Sequence, residues 1–112
     1  MAKQLTINDP ISGVTYTLEY NRKAVELMEK NGFVADELTN KPMTMLPALF
    51  AGAFIAHHRF VKRETINELY QRMNHKDQLL EALVEMYNEP IAALFEEPED
   101  HDEGNVSWKT GW

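Results

Sequence analysis

Residues 45–58 read MLPALFAGAFIAHH, and this stretch decides the fold. Met45 to Ile55 is almost continuously apolar, and Ala56 extends the run to His57-His58. Crossing a bilayer takes about 20 such residues, so the run predicts a buried central helix over 45–58 on which the rest of the chain packs. Pro47 fits if Thr44 caps this helix, because Pro47 then lies in a first turn where its missing N–H is not needed. Ala48, Gly52 and Ala56 recur at every fourth position and let a neighbouring helix approach closely. Leu46, Leu49, Phe50 and Phe54 supply bulk on the other sides.

Downstream, Ile66, Leu69, Tyr70 and Met73 follow the i, i+3, i+4, i+7 spacing of an amphipathic helix over 63–73, and Asn74 marks a corner. Leu80, Leu83, Val84, Tyr87, Ile91, Leu94 and Phe95 then continue one helical stripe over 75–95. Pro90 would clash with the carbonyl of Met86, which predicts a kink there or a fresh start capped by Asn88. Upstream, residues 34–42 connect to a helix over 22–31. Asn21 is its N-cap, Tyr20 and Val25 stand as a hydrophobic staple, Glu26 and Lys30 pair at i,i+4, and Gly32 ends it in the left-handed region. Phe33 is expected to fold back onto the core. Residues 4–18 alternate polar and apolar on either side of Asp9-Pro10-Ile11-Ser12-Gly13, a set of turn-formers, and predict a β-hairpin. The expected fold is mostly α, in the α+β class: an N-terminal hairpin and a four- to five-helix bundle forming one domain over 1–95.

The chain has 112 residues, net charge −7 and no cysteine. Disulfides and thiolate chemistry are thereby excluded, and MAKQLTIND has no apolar core of a signal peptide, so a cytoplasmic protein is expected. Residues 96–112 hold six acids and one lysine, leaving a nearly neutral body. This balance argues against nucleic-acid binding. Glu96 to Asn105 cannot bury apolar area and reads as a solvated acidic tether. It carries VSWKTGW (106–112), whose Trp108 and Trp112 either meet a partner or cover an apolar patch of their own domain.

Signals for chemistry are weak. His57 and His58 are adjacent and point about 100° apart on a helix, so they cannot share a metal ion; the ordinary reading is that they bond the last carbonyls of their own helix. Glu81, Glu85 and Glu89 line one helix face but lie off the apolar stripe, as a solvated face does. No nucleophile motif or phosphate-cradling glycine loop is present. The reading is therefore of a binding protein rather than an enzyme, with no cofactor and no metal.

Four segments, YTLEYNRKAVELMEKNGF (16–33), NKPMTMLPALFAGAFIAHH (40–58), LLEALVEMYNEPIAALFE (79–96) and the terminal NVSWKTGW, together resemble small tail assembly chaperones of long-tailed phages and prophages of Gram-positive bacteria. The resemblance implies a protein of viral morphogenesis. It would bind the tape measure protein and keep that long apolar helical chain soluble in the host cytoplasm. Meanwhile major tail tube subunits polymerise around the client, and the chaperone is absent from the mature virion. It also implies genes with a programmed frameshift near their end, of which a short C-terminus fits the unshifted product. Such a role suits adaptable methionines, so Met43, Met45, Met73 and Met86 join Trp108 and Trp112 as candidate partner-binding residues. At least three of Met28, Met43, Met45, Met73 and Met86 are expected to be buried as ordinary core. Self-association is compatible with this role. Two rivals remain open: a structural tail completion or connector protein, and a small metal-dependent enzyme built on His57-His58.

Overall fold

The computed structural model describes residues 3–96, 104 and 106–112. Strands β1 (Leu5–Asn8) and β2 (Thr15–Leu18) form an antiparallel hairpin, and five helices follow: α1 (Arg22–Lys30), α2 (Pro42–Gly52), α3 (Ile55–His58), α4 (Arg63–Arg72) and α5 (Lys76–Ala93). This is the expected hairpin-plus-helices α+β fold. No helix among the described residues is long and apolar enough to cross a membrane. Most of the acidic stretch, 97–103 and 105, lies outside the described residues.

Local chemistry accounts for the first third of the chain. In the hairpin, Leu5 faces Leu18 and Ile7 faces Tyr16, so the apolar side chains share one face. Gly13 takes φ +75° in the turn, and the Asp9 carboxylate accepts from the Ile11 N–H at 3.0 Å. Asn21 caps α1 by accepting from the Ala24 N–H at 2.8 Å, and the Glu26–Lys30 pair spans 3.2 Å. The helix ends in a Schellman motif: Gly32 adopts φ +96°, its N–H bonds Glu29, and the Phe33 N–H bonds Met28. Phe33 is buried, as its position after the motif requires.

The apolar run is not one helix. It starts at Pro42, three residues before the expected boundary, and breaks at Ala53-Phe54 before α3. Pro42 occupies the first turn; Pro47 is interior, and Thr44 does not cap but donates its hydroxyl to the Lys41 carbonyl. The break is made from outside. The Glu19 N–H bonds the Ala53 carbonyl at 3.0 Å, the Ala53 N–H bonds Phe50, and the buried Tyr20 hydroxyl donates to the Leu49 carbonyl. The segment leaving the hairpin thus takes up the carbonyls that a continuous helix would have used internally. Burial pushes the Tyr20 hydroxyl pKa far above its ordinary value.

α5 runs unbroken through Pro90, with no restart at Asn88. Its buried residues are Leu79, Leu83, Met86 and Tyr87, while Val84, Leu94 and Phe95 are exposed and Leu80 and Ile91 half-buried. The predicted stripe is therefore rotated: α5 seats chiefly against α1 and α2, with Leu79, Leu83, Met86 and Tyr87 turned inward. The α4–α5 corner falls on His75, at φ 53°, one residue beyond Asn74.

Two long-range ion pairs tie the hairpin to the helices. Lys3 meets the Glu85 carboxylate with its ammonium and the Glu89 carboxylate with its N–H, so two of the three glutamates on that face are engaged. Asp9, though buried, is held by both Arg72 guanidinium nitrogens, at 2.9 and 3.2 Å, and by the Ser12 hydroxyl. Chiefly the Arg72 hydrogen bonds, helped by Ile11 and Ser12 against the opposing effect of burial, hold the Asp9 carboxyl well below the usual carboxylate range. A depressed folded-state pKa means that the unfolded chain binds the extra proton first. The Asp9 contribution is therefore complete above the ordinary carboxylate range, about pH 4, and is lost as the pH falls below it. Melting temperatures measured from pH 7 down to pH 2 should drop at the acid end, and Asp9→Asn should flatten part of that drop. An unaltered acid slope in Asp9→Asn would remove Asp9 as its source.

Candidate functional site

The small residues of α2 leave a gap that no side chain among the described residues fills. Ala48 and Gly52 form the floor of an open groove of about 360 Å³. Met28 and Phe33 of the α1 end make one wall, and Ile55, Val61 and Ile66 make the other. The volume lies within the range of about 300–1,000 Å³ that takes small ligands or anchoring side chains. Gly52 is needed for the groove's shape. A Cβ there would fall inside contact distance of the Met28 thioether, so the two helices touch at this point. Ala48 lines the groove while its other side packs on the core, and Ala56, beyond the break at Ala53-Phe54, does not line it. The expected three-residue contact stripe thus reduces to Gly52 against Met28.

The rim is basic. Arg59 and Arg63 line the groove, and Lys62 lies between them in sequence. All three are exposed and have no carboxylate partner among the described residues. Phe60, on the same connection, is 93% exposed with the Arg59 guanidinium 5.9 Å from its ring centre. Sequence reasoning passed over this connection, although HHRFVKR (57–63) concentrates three cations around a phenylalanine that fits no helical stripe.

The histidine pair does not bond its own helix carbonyls. His57 Nε2 lies 2.6 Å from the Glu19 carboxylate, and His58 Nε2 accepts the Thr17 N–H of β2 at 2.9 Å. Hydrogen bonds from His57 and then Gln4 lower the Glu19 pKa. The two rings diverge, with centres 6.3 Å apart, and their role is to dock α3 on β2. The described residues contain no group of three or more His, Cys, Asp or Glu side chains placed to hold a metal ion.

The candidate partner-binding residues are not gathered in one place. Met45 lines the groove, and Met43, on the exposed first turn of the same helix, borders a neighbouring shallow depression. Met73 is half-buried against the core and Met86 is within it. Of the five methionines considered, Met28 and Met86 are buried, fewer than the three expected. The reason is that α2 presents its first turn to solvent, and α4 ends at Met73. Trp108 and Trp112 are 84% and 99% exposed. They do not cover a patch of their own domain.

The family described as "Domain of unknown function (DUF5055)" matches the chain over residues 1–112. No curated protein and no solved structure matches it.

Proposed function

The chain belongs to the DUF5055 family, whose description assigns no activity, and from that premise we propose that it is a phage tail assembly chaperone that binds the tape measure protein. The observation that carries a binding role is the open groove beside α2, where Met28, Met45 and Ile55 supply apolar lining and Arg59 and Arg63 add charge. Unbranched thioether side chains adapt to varied partner surfaces, and a groove between helices is a common receptor for one apolar face of another helix. The client is named by the resemblance of residues 16–33, 40–58, 79–96 and the terminal NVSWKTGW to such chaperones. The net charge of −7 is consistent with keeping an apolar client dispersed. On this reading the protein works in the host cytoplasm, alongside tail tube subunits, and leaves before the particle is finished.

Co-expression with the tape measure protein of the same tail gene cluster tests the proposal. The client should be soluble and co-purify with the wild-type chain. Ala48→Glu places a charge on the groove floor, and it should abolish capture while leaving the far-ultraviolet circular dichroism intact. A client that stays insoluble with the wild-type chain, or is captured equally by Ala48→Glu, would overturn the proposal.

A further inference from the structure

The structure offers both halves of a joint without closing it. The groove on α2 is open, walled by Met28 and Ile55 and rimmed by Arg59 and Arg63. The segment VSWKTGW stands clear of it in irregular conformation, with Val106, Trp108 and Trp112 at 90%, 84% and 99% exposure. We infer that the groove of one copy receives residues 106–112 of a second copy, so that the chain self-associates head to tail.

Three observations select this occupant. First, the segment carries two of the side-chain type most enriched at binding hot spots, and both rings are wholly available. Second, the charges are complementary. Arg59 and Arg63, which line the groove, and the adjacent Lys62 face solvent without a carboxylate partner among the described residues, in a chain of net charge −7 whose residues 96–103 hold six acids just before the segment. Elsewhere Lys3 pairs with Glu85, Lys30 with Glu26 and Arg72 with Asp9. Third, the segment does not occupy the groove of its own copy, which leaves donor and acceptor surfaces both free on each molecule. A contact between two different patches is heterologous, so it extends into a ring or a short filament rather than stopping at a symmetric pair. The inference shares the groove with the proposed client but does not depend on what that client is.

Complementation between two full-length variants tests it. Trp108→Ser/Trp112→Ser removes the donor rings and keeps the groove; Arg59→Glu/Arg63→Glu inverts the rim and keeps the tail. All four positions are exposed, and circular dichroism verifies that each variant is folded. In sedimentation equilibrium the wild-type chain should associate with rising concentration, less so in high salt. Each variant alone should associate at least about tenfold more weakly. Mixed, the two should form a one-to-one complex through the single intact joint. Variants that associate as the wild type does, or a mixture that stays monomeric, would overturn the inference. So would a wild type that remains monomeric at roughly 1 mM; if its tryptophan emission were then blue-shifted, the segment would occupy the groove of its own copy. A monomer that still captures the tape measure protein sinks this inference alone, whereas self-association without capture sinks only the proposed client.

Discussion

Phe54→Ala should cost about 3–5 kcal/mol, whereas Phe60→Ala, six residues away, should stay within about 0.5 kcal/mol of the wild type. Phe54 is 1% exposed and sits at the break between α2 and α3, packed edge-on against Tyr16 and Phe50 at 5.5 and 5.2 Å between ring centres. It joins the hairpin to the central helices, so truncation removes apolar burial and aromatic contact and leaves a cavity bounded by residues of three elements. Phe60 touches little besides Arg59. Against a total stability of about 5–15 kcal/mol, the first loss is about a fifth or more. Urea unfolding followed by circular dichroism measures both. Equal midpoints for the two variants would mean that the hairpin does not depend on Phe54 for its attachment.

Gly52→Leu should destabilise the protein by about 1–3 kcal/mol through overpacking. Two effects oppose each other. Replacing a helical glycine gains about 0.5–1 kcal/mol of helix propensity, which is smaller than the cost of forcing a branched side chain into the space held by Met28. Gly52→Ala is the informative control. Its single Cβ also meets Met28, at Cγ as well as Sδ and Cε, so the whole buried thioether side chain has to shift and not its tip alone. The alanine variant should therefore lose some stability, less than the leucine variant does, and weaken client capture while remaining folded. A leucine variant that melts at the wild-type temperature would show that Met28 yields completely and that α1 does not press on α2 at this point.

The parts of this protein legible in the sequence are those encoded within a few residues. The hairpin turn over Asp9–Gly13, the Asn21 cap, the Gly32 termination with Phe33 turned inward, and the Glu26–Lys30 pair all depend on neighbours within five positions, where side-chain geometry and backbone preference act alone. The apolar run at 45–58 showed that a core must form there. What only the tertiary structure decided involves partners far apart in the chain. Tyr20 and Leu49 are 29 positions apart, Thr17 and His58 are 41, and Asp9 and Arg72 are 63. The first of these helps break the central helix where periodicity predicted continuity, the second assigns His58 to the hairpin, and the third buries a turn aspartate beside an arginine. The groove has the same origin. Ala48 and Gly52 could have been filled by a neighbouring helix, and their pattern is identical in both cases. Only the seating of α1 against Gly52, with the helix broken at Ala53-Phe54, leaves Ala48 half-buried on a groove that Arg59 and Arg63 also line. A periodic pattern specifies which face of a helix avoids water, but the docking of the other elements determines which part of that face remains open.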